Sequence, residues 1–169
     1  MALVSEELAE IIKEKTNKIS DSTALDKLWD AVCEYVASKA EVIYDWAATN
    51  PSGTPDPQII WTGKISTGGS LKQSKIKTPK EALEDLSSQM NEQVNTWTII
   101  PAENFDTEGG TIKITGEGIK ISESGAKTRD SALKYLAEQI IKGIKEAVPP
   151  VHSGSHNGYI GATTSGKIL

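Results

Sequence analysis

Apolar residues recur at helical spacing through the first third of the chain. Leu8, Ile11 and Ile12 share one face of a helix predicted over residues 5–18. Ser5 is placed to cap it, and Glu6 and Glu7 suit the positive end of its dipole. The polar stretch Ser20-Asp21-Ser22-Thr23 breaks that helix and caps the next. Leu25, Leu28, Trp29, Val32, Val36, Ile43 and Trp46 keep the helical period and predict one long helix to about residue 48. Trp29 and Trp46 lie 17 residues apart, close to five turns, and are expected on one buried stripe. The other side of the helix carries Asp26, Asp30, Glu34, Glu41 and Asp45.

The pattern changes at Asn50-Pro51-Ser52-Gly53-Thr54-Pro55-Asp56-Pro57, a loop by composition. Residues 58–65 then read as a strand, Gly68-Gly69 as a turn, and 71–77 as a second strand. Thr78-Pro79-Lys80-Glu81 is a helix start, with threonine as cap and proline in the first turn. Ala82, Leu83, Leu86, Met90 and Val94 continue its apolar face, and an extended stretch follows at 97–100. In the second half, Thr111–Thr115 and Ile119–Ser122 read as short strands around Gly116-Glu117-Gly118. A helix over 128–148, with Leu133, Leu136 and Ile140 on its apolar face, is stopped by Pro149-Pro150. The two helices align at an offset of 50, pairing Thr78 with Thr128, Leu83 with Leu133 and Gln89 with Gln139. Duplication produces such an alignment, and so do two independently capped amphipathic helices.

The prediction is an α+β chain in three parts. Residues 1–50 form an N-terminal helical segment. Residues 58–148 form two β-β-α units with short antiparallel strands. Residues 149–169 form an extended C-terminal arm, because they hold four glycines and lack periodicity. That arm is expected to be mobile in an isolated subunit, with Tyr159, Ile160, Ile168 and Leu169 free to bury against a neighbour.

Composition narrows the chemistry. The net charge is -5, and the excess is local. Residues 1–50 hold ten acids and five lysines, whereas the rest carries 13 residues of each sign. Arg129 is the only arginine among 18 basic residues, so no nucleic-acid partner is expected. The apolar runs are far short of the roughly 20 residues that span a bilayer. The acidic N-terminus lacks a signal-peptide pattern, so a reducing cytosol is the expected site of synthesis. Cys33, the single cysteine, is expected as a small buried hydrophobe.

Candidate motifs fail on context. Residues 161–167 match seven places of a phosphate-binding loop, but Ile168 stands where magnesium needs Ser or Thr. His152 and His156 have the i, i+4 spacing of a zinc pair, but Gly154 lies between them and no helix is predicted there. Glu34 and Glu41 read as a solvated helix face. No catalytic residue, cofactor or metal is expected, and the chain is read as a non-enzyme.

Residues 25–48, the Pro/Gly loop leading to Trp61, and the closing Ser165-Gly166-Lys167-Ile168-Leu169 resemble small structural proteins of tailed bacteriophages. The resemblance implies a virion component of capsid, neck or tail, made in the bacterial host cytoplasm. It would act by self-assembly, as a homo-oligomer and with other virion proteins. An alternative from charge alone is a cytosolic protein-binding or regulatory module whose acidic helices capture a basic partner.

Overall fold

A computed structural model describes residues 2–17, 21–73, 75, 78–102, 104–147 and 151–169. The architecture is α+β. Helices α1 (Ser5–Thr16) and α2 (Asp21–Lys39) lead into strands β1 (Val42–Thr49) and β2 (Ile60–Ser66). Helix α3 (Pro79–Val94) precedes β3 (Thr98–Pro101), β4 (Phe105–Thr107) and β5 (Ile112–Lys113). Helix α4 (Arg129–Glu146) is followed by β6 (Ser153–His156) and β7 (Tyr159–Ile168). The seven strands form one antiparallel sheet in the order β4-β6-β7-β1-β2-β3-β5.

The predicted long helix ends at Lys39, and its last third is the strand β1. Ile43 and Trp46 fit a helical period, but Val42, Tyr44 and Trp46 also fit a period of two, and all three are buried. The β-branched and aromatic run Val42-Ile43-Tyr44 packs well on a pleated surface. Trp29 and Trp46 therefore share no stripe. Trp29 stacks on Trp97 with ring centroids 5.6 Å apart, and Trp46 meets Phe105 edge-on at 5.1 Å. Helix α1 also begins at Ser5, with Val4 in the cap position. Ser20, the first residue of the polar stretch predicted to break α1 and cap α2, and Pro149-Pro150 lie outside the described residues.

The C-terminal segment is extended, as predicted, but it is built into the sheet. Strand β7 pairs with β1 from Val42↔Ile168 to Thr49↔Ile160 and with β6 on its other side. Asn157 and Gly158, at φ 48° and 85°, make the two-residue turn between β6 and β7. The glycines serve close packing. A Cβ on Gly166 would lie 2.6 Å from the Tyr44 ring, and one on Gly154 would lie 2.7 Å from the Phe105 ring.

The sheet curls strongly. Phe105 of β4 stacks on Trp61 of β2 at 4.3 Å, although β6, β7 and β1 lie between those strands in the hydrogen-bonding order. In a flat sheet they would stand about 19 Å apart. Thr164 is an extra, unpaired residue in β7 opposite Asp45/Trp46, a bulge that adds local bend. The Ala102 N–H donates to the Thr62 carbonyl at 2.9 Å and brings the chain from β3 back towards β4. The concave side is filled by the rings of Tyr44, Trp46, Trp61, Phe105 and His152. These rings, except the half-buried His152, join the helix residues Leu8, Ile12, Val32, Met90 and Ile140 in one core.

Residues 71–73 and 119–122, predicted as strand, are straps laid across helices, and Ser74, Ile76 and Lys77 lie outside the described residues. Ser87 and Asn91 of α3 and Asn95 at its C-cap stand four apart and bind the second strap. They accept the N–H groups of Ile121, Ile119 and Gly116 at 2.8, 3.0 and 2.6 Å, and the Asn91 amide also donates to the Ile119 carbonyl at 2.9 Å. Helix side chains thus satisfy backbone groups that a strand would pair with its neighbour. The offset of 50 extends to these contacts. Gln89 holds the Lys72 N–H at 2.7 Å, and Gln139 holds the Ser122 N–H at 3.0 Å. Thr78 and Thr128 cap α3 and α4 through the N–H groups of Glu81 and Ser131. Leu71 and Ile121, also 50 apart, are both buried. Met90 and Ile140 are fully buried, and Leu83, Leu86, Leu133 and Leu136 pack at the margin of the core.

Candidate functional site

Two places combine polar chemistry or exposed apolar surface with a defined geometry. The first is buried, where the β1–β2 hairpin meets β6. The hairpin pairing continues past the Asp45↔Ile60 pair, because Trp46 N–H bonds the Ile59 carbonyl and Asp56 N–H bonds the Ala48 carbonyl. That pairing turns the Asp56 side chain inward. Its Oδ2 accepts the Trp46 indole N–H at 3.1 Å and faces His156 Nδ1 at 3.0 Å, while Oδ1 accepts the Gln58 N–H at 2.9 Å. Burial alone would raise the Asp56 carboxyl. The donors from Gln58, His156 and Trp46 outweigh burial and hold it below its ordinary value.

An Asp–His pair orients an imidazole, and in hydrolases the far ring nitrogen then serves a nucleophile. Here Nε2 of His156 faces the Asn157 amide nitrogen at 3.4 Å, a group that is not a nucleophile. The pair therefore acts as a buried clasp between two hairpins. His152, the other half of the i, i+4 pair, packs edge-on against Tyr44, Trp61 and Phe105. Among the described residues no three His, Cys, Asp or Glu side chains gather as metal ligands. Tyr44 Oη and Trp61 Nε1 are buried without a hydrogen-bond partner among the described residues. Cys33 is half-buried against the Gly68 carbonyl, and burial pushes its thiol up to about 11. The thiolate that would make it a nucleophile is therefore scarce at neutral pH.

The second place is the convex side of the sheet. Four isoleucines stand out there or on the adjoining loop: Ile59 at 66% exposure, Ile160 at 58%, Ile100 at 55% and Ile60 at 48%. Ile59, Ile160 and Pro55 wall a slot of about 430 Å³ whose floor includes Ala47, Ala48 and Thr49. Pairing explains the arrangement. Thr49 opposes Ile160, Ala47 opposes Ala162, and Asp45 opposes Ile60, all on the outward side. Lys64 and Lys167 share that side towards the other end of β1, and Lys113 lies at the β5 edge.

The four residues predicted to meet a neighbour are thus dispersed. Ile160 is on the convex surface. Ile168 is buried opposite Val42, Tyr159 is half-buried opposite His156, and the Leu169 N–H bonds the Glu41 carbonyl at 2.9 Å. Three of them belong to the fold rather than to a free arm. Residues 161–167 lie in β7, so most of their backbone runs in the ladder with β1. Several acids of the N-terminal helices are already paired within the chain. Lys134 meets Glu6 at 3.4 Å, Lys39 meets Glu7 at 4.0 Å and Lys15 meets Glu34 at 3.0 Å. Sequence reading missed the slot, although the alternation Ile60-Trp61-Thr62-Gly63-Lys64-Ile65 already placed Ile60 and Trp61 on opposite sides.

No helix among the described residues is long and apolar enough to cross a membrane. No family model, curated protein or solved structure matches the chain.

Proposed function

We propose that this chain is a non-enzymatic structural component of a bacteriophage particle that works by contact with copies of itself and with other virion proteins. The observation that supports assembly is the group of exposed isoleucines Ile59, Ile60 and Ile160 on and beside neighbouring strands of the convex sheet side. Large exposed apolar patches on soluble proteins mark surfaces that bind other proteins. The phage setting rests on the sequence resemblance alone. It places the protein in the virion after synthesis in the host.

Light scattering on the purified full chain, followed by electron microscopy of any large species, tests the reading. Oligomers or particle-like assemblies are the expected result. A chain that stays monomeric up to its solubility limit contradicts self-assembly.

A further inference from the structure

We infer that a water molecule is enclosed inside the curled sheet, bonded to the Tyr44 hydroxyl and the Trp61 indole N–H. The site is independent of the assembly reading above.

Three rings on the concave side bring buried polar atoms together. Tyr44 of β1 stands directly opposite Trp61 of β2, and the two rings stack at 4.5 Å, 18° from parallel. The His152 ring meets both edge-on, at 5.1 and 5.4 Å, and its Nε2 is buried. Tyr44 is fully buried and Trp61 is 2% exposed, yet neither Tyr44 Oη nor Trp61 Nε1 has a protein partner among the described residues. Buried polar groups are paired in the great majority of cases, and an enclosed water is the usual partner where the protein supplies none.

Packing keeps the rings from turning towards a protein partner. Trp61 stacks on Phe105 at 4.3 Å as well as on Tyr44. The Tyr44 ring lies so close to Gly166 that a Cβ there would come within 2.6 Å of it. The polar rims are therefore fixed in place.

Chemistry selects the occupant. The indole N–H only donates, whereas the phenol both donates and accepts. Burial pushes the Tyr44 phenol up, so it stays neutral. Neither group carries a charge that an ion would answer, and an apolar molecule would leave both unbonded. Water accepts from the indole and exchanges a hydrogen bond with the phenol, with the His152 imidazole as a further polar neighbour. Leaving both groups bare in a dry interior costs more than immobilising one water.

Two measurements on the full-length chain test the site. Water-oxygen magnetic relaxation dispersion counts waters held longer than the molecule takes to tumble. Dipolar transfer from water to the Trp61 indole proton places one of them. Wild type is expected to show that transfer. Tyr44→Phe keeps the ring and removes the hydroxyl, and it is expected to lower the dispersion amplitude by the share of a single water. The oxygen signal is blind to the Tyr44 hydroxyl proton, so the loss reports water itself. Circular dichroism checks that the variant is folded. Absence of transfer to the indole proton in wild type overturns the inference and requires no variant to fold. An unchanged dispersion amplitude in folded Tyr44→Phe also overturns it.

Discussion

Gly166 shows what the glycines near the C-terminus do. Its missing side chain leaves room for the Tyr44 ring, which stacks in turn on Trp61 at 4.5 Å. Gly166→Val would force the ring or the strand to move, and overpacking of this kind costs about 1–3 kcal/mol. Chemical denaturation is expected to show that loss, and an unchanged midpoint would mean that the site has room. Asp56 gives a second test at the same scale. Its carboxyl sits below the ordinary value near pH 4 because three donors hold the charged form. The resulting stability is complete above about pH 4 and is lost as pH falls through the lowered folded value. Melting temperatures of wild type should therefore drop on acidification below about pH 4 more steeply than those of Asp56→Asn. Identical acid limbs in the two proteins would contradict the clasp.

At the scale of elements, the second strap depends on α3. Asn91→Ala removes both partners of the Ile119 backbone, and unsatisfied buried groups cost about 1–3 kcal/mol. Urea titration is expected to register a destabilisation of that size, whereas a neutral effect would show that the strap holds itself. The C-terminal hairpin is more demanding. Removing residues 153–169 strips β1 of its β7 partner and leaves β4 unpaired, so the truncated chain is expected to lose its cooperative thermal transition. A soluble fragment with a sharp transition would return these residues to the status of an arm.

These elements also show where the sequence was legible. Helices α3 and α4 carry capping threonines and a clear apolar face, and both stand where those signals place them. Strand β1 was hidden because Val36, Ile43 and Trp46 extend the helical period of α2 across its real end. The straps have the alternation of strands, but side chains such as Ser87 and Asn91 take the place of a neighbouring strand, and spacing does not reveal that. The glycines of β6 and β7 read, by composition, as a flexible segment. The available signal was Asn157-Gly158 between residues that pair across it, a strong two-residue hairpin turn.

For the whole molecule, helices and rings fill the concave side of a curled sheet, and the convex side is left to solvent. Self-assembly through that side, as proposed above, would cover the Ile59 and Ile160 side chains. Methyl-resolved NMR on isoleucine-labelled full-length protein, with a soluble paramagnetic probe, reads that claim residue by residue. Ile100 lies on β3 away from the slot and is exposed to a similar degree, so it serves as an internal reference. The expected result is that raising the protein concentration shields the Ile59 and Ile160 methyls from the probe while Ile100 stays accessible. Equal accessibility of all three methyls at every concentration would contradict it.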